Sequence, residues 1–154
     1  MPYLIDGHNL IPKLGLHLNA PDDELDLVKR LLEYCRARRT RVEVYFDGAP
    51  PGAASTRRSG AVTAHFIRQR SSADAAIEAR LSSLGASARN WTVVSSDQRV
   101  QRAAQAVHAR SQRSEEFAQE MTAAGQGHLS PSKDEAVLSS EEVEEWLRLF
   151  KRGG

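Results

Sequence analysis

Residues 3–10, YLIDGHNL, place a short apolar run directly before an aspartate, a glycine, a histidine and an asparagine. Residues 2–5 have the composition of a buried β-strand, and Asp6 follows where that strand should end. In open α/β sheets, ligands bind at the carboxyl ends of the strands. The stretch therefore predicts a strand that delivers an acidic side chain to a functional edge of a sheet.

Further strands and helices alternate along the chain. We predict strands over 41–48, 61–67 and 91–97, and helices over 22–39, 71–86, 97–107 and 111–121. This alternation predicts an α/β fold, a three-layer α/β/α domain with a mainly parallel central sheet. Residues 1–121 form the expected domain, within which residues 49–60 are rich in Pro, Gly and Ser and predict a loop. Residues 122–138 predict a linker, and residues 139–154 a C-terminal helix that docks on the same domain.

The composition excludes several classes of protein. A chain of 154 residues with 40% hydrophobic and 27% charged residues is typical of one soluble domain. No apolar run approaches the ~20 residues that span a bilayer, so we expect no membrane association. The single cysteine, Cys35, excludes an internal disulfide and a multi-cysteine zinc site. With no secretion signal evident, we expect a cytoplasmic protein.

The net charge of +1 conceals an uneven distribution of charge. Residues 30–113 carry fifteen Arg and no Lys against six acids, whereas residues 1–29 sum to −3 and residues 114–154 to −5. A basic middle segment favours a polyanionic partner, because guanidinium groups match phosphate geometry. The alternative is that codon bias enriches arginine and that most of these side chains are merely solvated.

Four aspartates are expected at one edge of the sheet. Asp6, Asp47 and Asp97 follow predicted strands, and Asp74 opens a predicted helix. Helical spacing places Asp74 on the face of Ile77, and Asp97 on the face of Val100. Either acid could instead serve only to stabilise a helix N-terminus. Four acids at one edge favour a shared chemical role.

Clustered carboxylates repel one another unless a cation compensates their charge. Mg²⁺ and Mn²⁺ prefer oxygen ligands, and such an ion can activate water for attack on a phosphodiester. Asn9 could hold a metal-bound water or a substrate phosphate. We expect His8 and His65 to be packed side chains, and Ser95 and Ser96 to cap the following helix, with a secondary role in binding water or metal open for Ser96.

Four motifs in order, LIDGHNLI, VYFDG, SADAAIEA and VVSSDQRVQRAA, resemble those of the YacP-like branch of the NYN-domain family, relatives of PIN-domain nucleases. The resemblance covers about residues 2–121, and the C-terminal tail is also similar. It implies a PIN-like fold and an endoribonuclease that depends on Mg²⁺ or Mn²⁺. It also implies that Asp6, Asn9, Asp74 and Asp97 are active-site residues, with Asp6, Asp74 and Asp97 as metal ligands. It further implies Asp47, at the family's second strand end, as an additional ligand, and ribosome-associated messenger RNA as a substrate.

Charge alone marks Arg57, Arg58, Arg68 and Arg99 as candidate RNA contacts. Two other functions compete with a hydrolytic endoribonuclease. A catalytically weak or inactive RNA-binding module could retain all four acids. An aspartyl-phosphate enzyme is disfavoured, because His8 stands where that chemistry places a second acid two positions after its nucleophile.

Overall fold

The computed structural model describes residues 2–14, 21–49, 56–68 and 72–127. Its strands are β1 (Tyr3–Asp6), β2 (Val42–Ala49), β3 (Thr56–Ser59), β4 (Val62–Arg68), β5 (Thr92–Val94) and β6 (Arg110–Gln112). Its helices are α1 (Gly7–Leu10), α2 (Pro21–Arg38), α3 (Ala73–Leu84), α4 (Gln98–Ala106) and α5 (Ser114–Gly127). Short 3₁₀ helices cover Ile11–Leu14 and Gly85–Asn90.

The six strands form one sheet in the order β3-β4-β2-β1-β5-β6. All neighbouring pairs are parallel except β3 and β4, which are antiparallel. The strand β1 is central, with Tyr3 aligned with Val42 on one side and with Thr92 on the other. The predicted α/β fold with a mainly parallel sheet is confirmed.

Successive residues of the central strands face opposite sides of the sheet, and each side has its own core. Ile5 and Val44 pack with α2 and α5, whereas Leu4 and Tyr45 pack with α3 and α4. The apolar stripe of α2 includes Val28 and Leu32, both buried. Helices therefore cover both faces of the sheet, which requires parallel strands that are apolar on both sides.

Several boundaries differ from the sequence prediction. The strand β3 lies within the predicted loop 49–60, where antiparallel pairing with β4 supplies its hydrogen bonds. The predicted helix over 111–121 is wrong at its start, because Ser111 and Gln112 pair with β5 and α5 begins at Ser114. The helix α5 continues to Gly127, into the expected linker 122–138. The predicted C-terminal helix lies outside the described residues.

A polar network ties β2 and β4 to α3. The carboxylate of Glu43 accepts hydrogen bonds from Nε and Nη2 of Arg80, each at 3.0 Å, and from the Tyr45 hydroxyl at 3.1 Å. His65 Nε2 lies 3.4 Å from the same carboxylate, and its ring stacks on Tyr45. The guanidinium of Arg80 also lies over the Trp91 ring. In the described part of the chain, no helix combines the length and apolarity needed to cross a membrane.

Candidate functional site

Two neighbouring strands bring Asp6 and Asp47 to the carboxyl edge of the sheet. Asp6 is the last residue of β1 and is aligned with Tyr45, two residues before Asp47 on β2. The Asp6 side chain is buried, with 7% of the residue exposed, whereas Asp47 is exposed. Gly7 allows this approach, because a Cβ there would lie 2.6 Å from the Phe46 ring and 3.0 Å from the Tyr45 carbonyl.

The Asp6 carboxyl group lies in an environment that disfavours its charge. Burial raises its pKa to about 6, and the negative charges of Asp74 and Asp47 contribute to the rise. Two effects offset only part of this rise in pKa: a hydrogen bond from the backbone N–H of Asn9, and the charge of the nearby His8. The edge of the sheet thus carries negative charge that the described residues compensate only in part.

Asp74 connects the acids of the central strands to Asp97. It lies in the first turn of α3, where the cap is Ser72, whose side chain accepts from the Ala75 N–H at 3.1 Å. Burial raises the pKa of Asp74, and the charge of Asp97 raises it further. Asp47 approaches the same helix, because its Oδ1 accepts a hydrogen bond from the Ala73 N–H. The four predicted aspartates therefore share one edge.

Asp97 caps α4 and also faces the acid cluster. Its Oδ1 accepts from the Arg99 N–H at 2.8 Å. The prediction that Ser95 and Ser96 cap this helix is wrong, because Asp97 occupies the cap position. Ser95 instead supports the loop, since its Oγ accepts from the Asp97 N–H at 3.1 Å. A carboxylate has two oxygens, so one cap bond orients Asp97 and leaves capacity for a ligand.

Asn9 joins three distant parts of the chain. Its Oδ1 accepts from the Ser96 N–H at 2.9 Å and from the Ser114 hydroxyl at 2.6 Å. Ser114 is fully buried, and its backbone N–H donates to Ser96 Oγ at 3.1 Å. The Asn9 side-chain oxygen, predicted to hold water or phosphate, is therefore engaged in fixing the loop that carries Asp97.

Ser96 has its hydroxyl group engaged in the same way. Its Oγ donates to Glu115 Oε2 at 2.8 Å, and Lys13 Nζ lies 3.0 Å from Glu115 Oε1. The hydrogen bond from Ser96, with Lys13 next in importance, lowers the pKa of Glu115 to about 2. Sequence reasoning missed Glu115, because its partners are far away in the chain and no local pattern marks it.

The four arginines predicted to contact RNA do not lie together. Arg99, at the start of α4, is next to the acids, with its Nε 2.6 Å from Glu78 Oε1. Its positive charge lowers the pKa of Asp74 against the larger effect of burial. Arg68 is the last residue of β4, at the carboxyl edge.

Arg57 and Arg58 lie on β3, next to the β3–β4 turn at the opposite end of the sheet. Sequence reasoning also missed Glu78, although its spacing of four residues from Asp74 places both on one helix face. Its charge raises the pKa of Asp74, so it is a further acid of this site.

Both predicted structural histidines are packed. His8 lies against the Phe46 ring, and its Nε2 is 3.5 Å from Glu24 Oε2. Burial opposes protonation of His8, but the hydrogen bond and charge of Glu24 prevail and raise its pKa. Nδ1 of His65 lies 3.2 Å from the hydroxyl oxygen of Thr56, its neighbour on β3. These contacts match the predicted packing roles.

The donor chemistry of the site suits a hard cation. Carboxylate oxygens dominate the edge, and the pKa of Asp6 is raised first by burial and then by the charges of Asp74 and Asp47. Among the described side chains, no three of His, Cys, Asp or Glu converge as ligands of one ion. This arrangement fits Mg²⁺, which uses one or two carboxylates with water and substrate oxygens, better than a closed cage of protein ligands.

A mostly parallel sheet between helical layers, with acids at its carboxyl edge, defines an α/β fold whose ligand-binding edge is acidic. The sequence profile described as the YacP-like NYN domain matches residues 3–150, and the chain belongs to this family. The predicted family is thus confirmed, over a stretch that includes most of the C-terminal tail.

Solved structures of one bacterial protein have the same fold. The crystal structure of Rae1 (YacP) from Bacillus subtilis is similar at a TM-score of 0.68 and 24% identity, covering 82% of this chain and 76% of that one. A point mutant of Rae1 (YacP) from the same organism gives a TM-score of 0.66 and 26% identity, covering 99% and 96% of the two chains. No curated protein matches the sequence significantly.

Proposed function

We propose that the protein is a metal-dependent endoribonuclease that hydrolyses phosphodiester bonds within RNA. The observation that carries the proposal is the buried Asp6 carboxyl, whose pKa is raised to about 6 beside Asp74 and Asp47. Incompletely compensated acids at the ligand-binding edge of a parallel sheet are costly for a purely structural site. Membership of the YacP-like NYN family supports a nuclease.

Asp6, Asp74 and Asp97 would hold Mg²⁺ or Mn²⁺ between them, one or two of the carboxylates directly and the others through metal-bound water, with Asp47 as an additional ligand. When bound, the ion would activate a water for attack and neutralise charge that develops on the phosphate. The chain itself orients the ligands, because the N–H groups of Asn9 and Arg99 bond to Asp6 and Asp97. No covalent intermediate with the protein is required.

Arg99 is suited to approach the RNA phosphate. It lies next to Asp74, and its guanidinium pairs with Glu78. Arg68, on the same edge, is a second proposed RNA contact. Ribosome-associated messenger RNA as the substrate rests on the family resemblance alone. A cytoplasmic location is part of the same proposal and agrees with a single, buried Cys35.

Cleavage of a labelled, partly single-stranded RNA in EDTA, Mg²⁺ or Mn²⁺ tests the proposal. The wild type should make internal cuts only with metal, and Asp6→Asn and Asp97→Asn should lower the rate by about 100-fold or more. Asparagine is a good N-cap, so Asp97→Asn should keep α4 intact. Asp26→Asn is the matched control, because Asp26 pairs with Arg30 on the surface of α2.

Three results would contradict the proposal in different ways. Normal turnover by both acid variants would remove the site assignment. RNA binding without cuts in either metal would favour the inactive RNA-binding module. Absence of binding at low salt would exclude RNA as the ligand.

A further inference from the structure

The amino edge of the sheet, opposite the acids, carries a second concentration of charge. The residues that lead into β2, β5 and β6 include arginines, and so does the strand β3 beside the β3–β4 turn. We call this surface the basic edge, and its members are Arg38, Arg39, Arg41, Arg58, Arg89 and Arg110. The segments 38–41, 89–91 and 107–110 contain no acidic residue.

The strand register places three of these arginines, on or next to β2, β3 and β6, at one edge of the sheet. Arg41 precedes Val42, which is aligned with Tyr3, and Tyr3 is aligned with Thr92, which is aligned with Arg110. Arg58 lies at the same edge, because its Nε lies 3.5 Å from the Gly60 carbonyl in the β3–β4 turn. With neighbouring strands about 4.8 Å apart, the five spacings from β3 to β6 extend over about 24 Å.

These arginines are exposed and, among the described residues, are not engaged with acids. All six residues are exposed, and within the described ranges no acidic side chain forms an ion pair with any of them. Elsewhere the chain pairs its arginines, as in Arg30 with Asp26 and Arg80 with Glu43. Glu43, the acid closest in sequence to Arg41, is engaged with Arg80.

Two members of the basic edge are held by aromatic rings. The guanidinium of Arg41 lies 5.9 Å from the centre of the Trp91 ring, and that of Arg38 lies 5.9 Å from the Tyr34 ring. Stacking on a ring restricts a guanidinium while its N–H groups remain available, so less conformational entropy is lost on binding. A row of exposed cations, partly fixed, is suited to a phosphate backbone.

We propose that the basic edge is a second RNA-binding surface, which grips the phosphate backbone of a segment outside the cleavage site. The two edges are separated by the length of β2 from Val42 to Asp47, about 17 Å at 3.3 Å per residue. An RNA must therefore be long enough, or folded, to contact both edges. This inference rests on the proposed function in one respect, because that function identifies the bound polyanion as RNA.

The test compares two double variants with the same change in charge. Arg89→Gln with Arg110→Gln removes two cations from the basic edge, and Arg30→Gln with Arg102→Gln removes two from helices α2 and α4. Binding of a labelled single-stranded RNA of about 20 nucleotides is measured in EDTA over about 50 to 200 mM KCl. Thermal unfolding of both variants establishes that they remain folded.

The basic-edge variant should bind about 10-fold more weakly at low salt, and its slope of log K against log salt should be shallower by about 1.4, which is about 0.7 for each lost contact. The control variant should keep the wild-type slope. Equal slopes for the two variants would overturn the proposal. The proposal would also be overturned if the basic-edge variant lost binding to polyglutamate but bound RNA as the wild type does, since that pattern identifies an acidic protein as the partner.

The two proposals fail in different ways. Metal-dependent cleavage with equal salt slopes for the two variants would leave the nuclease intact and remove the basic edge as an RNA surface. A shallower slope for the basic-edge variant, in a protein that makes no cuts, would leave the RNA surface and remove the nuclease.

Discussion

At the scale of single residues, Gly7 decides how closely the acid of β1 approaches β2. An added Cβ would lie 2.6 Å from one carbon of the Phe46 ring and 2.8 Å from another. Phe46 is only 1% exposed and cannot move aside freely. The backbone carbonyl of Tyr45, 3.0 Å away, closes the other side. Any side chain at position 7 must therefore shift either the Phe46 ring or the backbone that joins β1 to α1 next to Asp6.

Gly7→Ala should lower the free energy of unfolding by about 1–3 kcal/mol, the usual cost of an overpacked site, and should greatly reduce RNA cleavage. Urea unfolding and the cleavage assay measure the two effects. Gly85→Ala is the control, because Gly85 has φ +56° with nothing within 4 Å of the added Cβ. It should cost about 1–3 kcal/mol through backbone strain and leave cleavage unchanged. Wild-type stability and cleavage in Gly7→Ala would contradict the close approach.

At the scale of elements, buried hydrogen bonds join α1, the β5–α4 loop and α5. Ser114 is fully buried and donates to Asn9 at 2.6 Å, while Asn9 also accepts from the Ser96 N–H. These bonds fix the loop that ends in Asp97 relative to the strand that ends in Asp6. The position of two acids thus depends on a contact between residues far apart in the chain.

Ser114→Ala should lower the free energy of unfolding by about 1 kcal/mol and reduce the cleavage rate more than RNA affinity. Combined with Asn9→Ala, it should show a coupling energy of about 1 kcal/mol in a double-mutant cycle. Ser83→Ala serves as the control, since Ser83 is exposed and donates only to the Arg80 carbonyl of its own helix. Strict additivity of the Asn9 and Ser114 substitutions would show that the bond contributes nothing.

The Glu43 network connects β2, β4 and α3 through charge. Burial alone would raise the pKa of Glu43, but the His65 ring, whose Nε2 lies 3.4 Å away, and the hydrogen bonds from Arg80 prevail and lower it from 4.5 to about 2. The folded state thus stabilises the charged form of the Glu43 carboxyl group relative to the unfolded chain. Its stabilising contribution is present above pH 4.5 and is lost as the pH falls toward 2.

Glu43→Gln should therefore cost about 2 kcal/mol at pH 7, a figure reduced because Arg80 is partly exposed, and much less near pH 2. Urea unfolding at several pH values between these limits measures the difference. Glu33→Gln, on the exposed surface of α2, should show no such pH-dependent cost. A constant difference between Glu43→Gln and wild type at every pH would contradict the network.

At the scale of the whole molecule, the sequence predicts the central features of the fold better than its edges. The strands β2, β4 and β5 are rich in apolar and β-branched residues, and Asp74 and Asp97 lie close enough at the predicted edge for the charge of one to raise the pKa of the other. The edge strands β3 and β6 read TRRS and RSQ, which carry no hydrophobic pattern. Their conformation comes from pairing with a neighbouring strand, which no local signal encodes.

The same division applies to the site. The acids could be predicted because parallel strands end at a common edge, a rule that needs only the order of elements. The role of Asn9 could not be predicted, since its partners Ser96 and Ser114 are 87 and 105 residues away. The separation of Arg58 from Arg99 to opposite ends of the sheet likewise depends on β3 being antiparallel.

Metal binding should appear in the stability of the whole molecule without any RNA. An ion that binds only the folded state at about 100 times its dissociation constant adds about 2.7 kcal/mol, or roughly 5–10 °C in Tm for a chain of this size. Titration with Mn²⁺ at neutral pH, followed by thermal unfolding, should show this rise in the wild type and in Asp26→Asn. Asp74→Asn should lose it, because Asp74 couples Asp6 to Asp97.

The rise in Tm should shrink at pH 5, since Asp6 with a pKa of about 6 is then mostly protonated and must release its proton to bind the ion. An equal rise in Asp74→Asn would place the ion elsewhere, and no rise in the wild type would contradict a metal site formed before RNA binds.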